Sequence, residues 1–275
     1  MRNRSCQFLI GCILLLSLAG CSKSPVSNEP ALSKTTVTKP KPAKVLSPPK
    51  SQRADMTIPA WAQGKVISEV KLKPGAKAVA ITFDDGPWLK YSQEVLKVLQ
   101  KYNVKATFFE VGKELSRRPD VAREIVAAGH VIGNHSWDHP DKPKDAAAQV
   151  TRTDKQIAKD LKVTSHLFRP PYGILTNGMA AQAKKEKHAV ILWSTSGVDW
   201  QKPSAIRIAN NVLENVHPGG IILLHDGGGN RNQTVLALPL IIPRLQQKGY
   251  KFVTVPELLR MRYVTGGAVK KAPKE

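Results

Sequence analysis

The chain has 275 residues, 41% of them hydrophobic, which fits one domain of ordinary size with flanking segments. Its 42 Lys and Arg stand against 21 Asp and Glu, a formal charge of +21. Such a charge favours anionic surroundings such as nucleic acid, phospholipid headgroups or an acidic cell wall. The basic residues are spread rather than blocked, as solvating tails would also be, and no nucleic-acid partner is expected. Of the three cysteines, Cys6 and Cys12 fall in a leader segment to be removed and Cys21 at its end. A disulfide in the mature chain and a Cys nucleophile are thereby excluded.

Arg2 and Arg4 form a positive start, and Phe8 to Leu18 is an apolar run too short to span a bilayer comfortably. It ends in Leu18-Ala19-Gly20-Cys21, which resembles the lipobox of bacterial lipoproteins. The resemblance implies a signal peptide over residues 1–21, lipidation at Cys21 and an extracytoplasmic protein anchored to a bacterial membrane. An ordinary secretory signal with an incidental Cys is the alternative. Ser22 after Cys21 would fit outer-membrane sorting in a diderm cell. Residues 22–65 are read as a disordered tether rich in Pro, Lys and Ser, reaching on the order of 100 Å if extended.

The folded domain is assigned to residues 66–264, followed by a basic tail over 265–275. Strands are expected over Ala78–Phe83, Ala106–Val111, His130–Asn134, His166–Arg169, Val190–Trp193, Ile221–His225 and Phe252–Val255. Helices are expected near Gln93–Tyr102, Pro119–Ala128, Ala146–Leu161, Met179–Lys187, Ser204–Asn215 and Leu236–Lys248. This alternation predicts an α/β fold, a distorted (β/α) barrel of about seven parallel strands in a single domain.

The reactive side chains follow strands. Asp84 and Asp85 leave the first strand, His135 the third and Arg169 the fourth; Asp199 and Trp200 lie just past the fifth, and His225 ends the sixth. In parallel βα barrels the loops after strand C-termini build the active site. Asp84-Asp85-Gly86-Pro87 also suits a simple Asx-type turn. In His135-Ser136-Trp137-Asp138-His139 the two histidines share a side if the backbone is helical. Two imidazoles and a carboxylate suit Zn²⁺ with an open position, or non-haem Fe²⁺, and Asp138 is an alternative carboxylate to Asp85. Arg169 can hold a carboxylate such as Asp84 in a bidentate pair, or form a surface ion pair. His225 reads as a core histidine, or as an acid whose pKa Asp199 raises. His130, His166, His188 and His217 match no cluster.

Together, Thr82–Pro87, His135–His139, Arg169–Tyr172, Asp199-Trp200 and Leu223–His225 resemble, in order, the motifs of the polysaccharide deacetylase family, also called carbohydrate esterase family four. The resemblance runs from about Lys77 to Leu259. It implies a distorted (β/α) barrel and one divalent metal, Zn²⁺ or another ion such as Co²⁺, on Asp85, His135 and His139. It implies Asp84 as general base with Arg169 as partner, and His225 as general acid tuned by Asp199. Trp200 and Leu223 would line the acetyl pocket, and the Tyr172 N–H would help bind the oxyanion. Many members carry an Asp where this chain has Ser196, which predicts weakened support for the acid.

The expected activity is removal of acetyl groups from N-acetylglucosamine units of a polysaccharide, peptidoglycan or a chitin-like glycan, by water activated at the metal. The expected partners are that glycan and, through the lipid, a membrane, with the protein a monomer. Alternatives are an O-deacetylase of xylan-type polysaccharide, a weakly active glycan-binding lipoprotein, and an iron oxygenase.

Overall fold

A computed structural model describes residues 54–264. The expected signal peptide with Cys21, the expected tether up to residue 53 and the expected tail over 265–275 lie outside the described residues. Nine strands are described: β1 (Val66–Ile67), β2 (Ala78–Asp84), β3 (Thr107–Glu110), β4 (Val131–Asn134), β5 (Leu167–Phe168), β6 (Ala189–Ile191), β7 (Thr195–Ser196), β8 (Ile221–His225) and β9 (Lys251–Phe252). Eight α-helices are described: α1 (Tyr91–Lys101), α2 (Gly112–Arg117), α3 (Pro119–Ala127), α4 (Ala146–Leu161), α5 (Met179–Lys185), α6 (Ala205–Asn215), α7 (Asn232–Gln247) and α8 (Val255–Arg260).

Every residue of β2 is buried, as expected of a parallel strand covered on both faces. The sheet order is β1-β6-β5-β4-β3-β2-β8-β7, with β9 added beside the start of β2, and all of these pairings are parallel. The sheet curls until its ends meet. Leu192 N–H donates to Ile67 after β6, and Ser194 N–H donates to Ile221 of β8. Two residues of extended chain reach only about 7 Å, so the β1–β6 side and the β7–β8 side lie next to each other. An antiparallel bridge between Glu69 and Gly220 crosses the same seam.

The helices cover the outside because their apolar residues recur at helical spacing. On α4, Val150, Thr153, Ile157 and Leu161 are buried, Asp145 caps the N-terminus by accepting from Ala148 N–H, and Lys162 closes the C-terminus in a left-handed conformation. Inside the sheet, Phe83 stacks on Phe108 at 5.1 Å between ring centroids. Burying each such ring contributes about 1.5–3 kcal/mol.

The expected distorted barrel is therefore present, and each expected strand and helix has its counterpart. Four short elements escaped the reading. β1 and β7 have two residues each, too few to show a period. α2 follows β3 directly at Gly112. α8 displaces the end of the strand expected over Phe252–Val255: Thr254 and Glu257 form a reciprocal cap and Pro256 sits in the first turn. The folded body also starts earlier than residue 66. Met56 and Ala62 are buried, Arg260 pairs with Asp55 at 2.6 Å, and Arg262 covers the Trp61 ring at 4.4 Å. The apolar island Ile58–Trp61 is short, and the Pro- and Lys-rich composition around it masks it. Among the described residues no helix is long and apolar enough to cross a membrane.

Candidate active site

Strand register places the site. Asp84 of β2 is paired with Phe109 of β3 and with His225 of β8. Glu110 is paired with Asn134, and Asn134 with Phe168, the residue before Arg169. The C-terminal ends of five adjacent strands thus form one rim, and the polar residues that follow them face one cavity of about 310 Å³. Its lining includes Asp84, Asp85, His135, His139, Tyr172 and His225.

The two adjacent carboxylates diverge because Asp85 takes a left-handed conformation, φ 74. Asp85 Oδ1 lies 3.6 Å from His135 Nε2 and 3.4 Å from His139 Nε2. Asp85, His135 and His139 can each offer one donor atom within 4.8 Å of the others. Two donors bonded to one tetrahedral zinc stand roughly 3.3 Å apart, so this set fits a divalent ion with little movement. His135 is prepared for that role. Its Nδ1 lies 2.7 Å from the Arg169 carbonyl, so Nδ1 carries the proton and Nε2 offers its lone pair. Burial, with His139 nearby, pushes the ring down to about 3, leaving it neutral.

His135–His139 is not helical, so the condition under which i, i+4 spacing alone would align the two rings is not met. Ser136 and His139 both have positive φ, 68 and 60. Asn134 Oδ1 accepts from Ser136 N–H at 2.8 Å, and Ser136 Oγ accepts from His139 N–H at 3.0 Å. These local bonds wind a tight loop that brings the imidazoles to 4.8 Å between centroids. The same loop removes Asp138 from contention: it is exposed and its Oδ1 accepts from Gln149 Nε2 at 2.7 Å.

Asp84 turns the other way. Its Oδ1 accepts from Arg169 Nη1 at 2.7 Å, and its Oδ2 faces His135 Nε2 at 3.6 Å. Burial pushes its carboxyl above the usual range, against the opposing pull of Arg169. Arg169 is fully buried, so the surface ion pair is ruled out, and the pair is single rather than bidentate. The same Nη1 also donates to Thr82 Oγ1 at 2.8 Å, while Nε and Nη2 donate to the carbonyls of Ile191 and Leu192, each at 3.2 Å. The guanidinium stacks 4.1 Å over Phe109.

Opposite them, His225 Nδ1 lies 2.8 Å from Asp199 Oδ1, which leaves Nε2 for the cavity. Asp199 Oδ2 accepts from His225 N–H at 2.9 Å and from Thr234 Oγ1 at 2.8 Å. Burial would lower the His225 pKa, but the Asp199 hydrogen bond and charge outweigh it, and the ring ends above the ordinary histidine value. Ser196 accepts from Val198 N–H at 3.0 Å and shapes the turn into Asp199. Thr234, which the sequence reading missed, supplies Asp199 with support of its own. Trp200 packs edge-on to His225 at 5.8 Å, Leu223 lines the wall beside it, and Tyr172, φ 57 after two prolines, closes the other side.

Three further residues behind the site were not anticipated. Arg231 is buried, donates from Nε to Gly227 O at 2.6 Å and sends Nη2 to 3.9 Å from Asp85 Oδ2. Glu110 and Asp226 are fully buried, and both Glu110 oxygens and Asp226 Oδ1 lack a partner. Both crowd Gly86, where a Cβ would lie 2.8 Å from Asp226 and 3.0 Å from Glu110. Burial raises both carboxyls, Asp226 to about 7 and Glu110 well above its ordinary value, where the charge of Asp226 adds to the effect. A lone Glu at the end of an apolar strand gave no sign of this, and Asp226 was visible only as the neighbour of His225.

Residues 71–191 match the family model described as polysaccharide deacetylase. A peptidoglycan-N-acetylglucosamine deacetylase of Bacillus cereus is 40% identical over 192 residues, covering 68% of this chain and 90% of that protein. The crystal structure of the Bc1960 peptidoglycan N-acetylglucosamine deacetylase superposes with a TM-score of 0.67 at 36% identity, covering 72% of this chain and 94% of that one. A family 4 acetyl xylan esterase from Clostridium thermocellum, solved with a cobalt ion, superposes with a TM-score of 0.62 at 36% identity, covering 67% and 91%. Fold, ordered motifs and these relatives agree, and the chain belongs to the polysaccharide deacetylase family as a deacetylase, a hydrolase.

Proposed function

We propose that this protein removes the N-acetyl group from N-acetylglucosamine units of a cell-wall glycan, peptidoglycan before chitin-like polymers, with one divalent ion on Asp85, His135 and His139. One observation carries the reading: the Arg169-held carboxylate of Asp84 and the Asp199-held imidazole of His225 stand side by side next to the three-donor set. The ion, Zn²⁺ or a similar one such as Co²⁺, supplies Lewis acidity and a lowered pKa for water when bound.

The residues of the chain do the rest. Asp84 Oδ2, free while Arg169 holds Oδ1, takes a proton as water adds to the acetamide carbon. Tyr172, which lines the cavity, donates its N–H to the oxyanion. Leu223 and Trp200 hold the acetyl methyl and keep bulk water away. His225 Nε2 gives its proton to the nitrogen as the C–N bond breaks, because an amine anion cannot leave. Acetate and a free amine are the products. A second cleft, lined by Trp88, Lys113 and Gly228, shares Asp85, His139 and Tyr172 with the first, which supports a polymer lying across the site.

The O-deacetylase reading draws on the acetyl xylan esterase relative, and the same groups would serve an ester. Acetate release from N-acetylglucosamine oligomers and peptidoglycan, compared with acetylxylan, decides between them. Release from xylan alone would overturn the proposal. The leader and Cys21 support export and lipid anchoring at the extracytoplasmic face of a membrane; a Cys21→Ala variant is expected to appear in the soluble extracytoplasmic fraction.

A further inference from the structure

A second donor set lies on the outer side of the barrel, away from the cavity. Side chains alternate along a strand. Phe168 and Val190 point outward into a small apolar cluster with Val150, Met179, Ala180 and Ala183 of α4 and α5. His166 and His188, two residues earlier on each chain segment, fall on the same side, and their rings approach to 6.0 Å between centroids. Asp154 of α4 and Glu186, at the end of α5, close on them.

His188 is buried, 3% exposed, yet poorly bonded. Its Nδ1 has no partner, and its Nε2 lies 3.3 Å from both oxygens of Asp154. Those separations exceed a usual N–H···O bond. They equal the roughly 3.3 Å between two donors on one tetrahedral zinc, and they match the His139–Asp85 spacing of 3.4 Å in the active site. Donor atoms of Asp154, Glu186 and His188 all lie within 4.8 Å of one another. Asp154, Glu186 and His166 are each partly exposed, so an ion can enter from solvent.

We propose that Asp154, Glu186 and His188 form a second divalent-metal site of the zinc class, with water completing the shell. Mixed imidazole and carboxylate donors favour Zn²⁺ over Ca²⁺ or Mg²⁺, which take oxygen ligands. A bound ion would tie α4 and α5 to the strands beneath them. Asp154 also accepts from Asn134 Nδ2 at 2.8 Å, and Asn134 holds the Ser136 amide of the active-site loop. Glu186, free of that link, is therefore the residue to change.

The test is Zn²⁺ titration of chelator-stripped protein by calorimetry, with metal content measured after gel filtration. The parent is expected to bind two equivalents, and a His139→Ala variant one. Glu186→Gln is expected to weaken the second equivalent at least tenfold while acetate release at the first stays at the parent value. Zn²⁺ should raise the Tm of His139→Ala and leave that of His139→Ala with Glu186→Gln unmoved. One equivalent in the parent, or a second equivalent indifferent to Glu186→Gln, would overturn the proposal. A His188→Asn variant that fails to fold does not affect this outcome, because the partly exposed Glu186 carries the measurement.

Discussion

Asp84 and His225 are register partners on neighbouring parallel strands, β2 and β8. Each is held on its far side by a buried group of opposite character: Asp84 by Arg169 and His225 by Asp199. The proposed base and acid are thus spaced by strand pairing alone, without a flexible loop between them.

Asp84→Asn keeps the volume and removes the proton acceptor. Acetate release is expected to fall on the order of 10²–10⁴-fold, with metal content unchanged because Asp85, His135 and His139 remain. Parent-rate turnover by this variant would remove Asp84 from the role of base.

Asp199→Asn tests the acid. Asp199 holds His225 above the ordinary histidine value, and a general acid must be protonated, so activity should fall as pH rises through that raised pKa. Without the carboxylate the alkaline limb of kcat/KM should move to lower pH. An unmoved limb would mean that another group supplies the proton.

Arg169→Met leaves Asp84 as an uncompensated buried charge. Breaking a buried pair from one side costs about 3–5 kcal/mol, which urea unfolding would read as a lower midpoint at constant slope. Arg169→Lys should not rescue it, because one ammonium cannot serve Thr82, Asp84, Ile191 and Leu192 from a planar fork.

Glu110→Gln concerns the unpartnered acids behind the site. Burial, and then Asp226, raise the Glu110 pKa above its unfolded value. The stability from keeping it protonated is complete below an unfolded pKa of about 4.3 and is lost as pH rises through the folded pKa. In metal-stripped protein the variant should therefore gain on the parent as pH rises from that point, with urea midpoints as the readout. A difference that is flat with pH would contradict the assignment.

The sequence was most informative where chemistry and strand ends coincide. Asp84, Asp85, Arg169 and His225 each follow an apolar run, so the barrel rim was visible before any contact was known. The geometry inside the rim was less so. The His135–His139 spacing left open whether a helix aligned the rings, because spacing alone cannot reveal positive φ at Ser136 and His139. Arg169 suggested a fork onto one carboxylate, whereas its buried position makes it satisfy two side chains and two carbonyls. Thr234 and Arg231 lie in the start of α7 and the turn before it, and only the folding of that segment over β8 brings them to Asp199 and Asp85. His188 looked idle because its partners come from α4 and the end of α5, distant in sequence from any motif.

The central claim is that one divalent ion on Asp85, His135 and His139 serves N-deacetylation by Asp84 and His225. Acetate release from N-acetylglucosamine oligomers should vanish after chelation and return on adding Zn²⁺ or Co²⁺ to the parent, but not to His139→Ala. Undiminished release from fully stripped protein would contradict it.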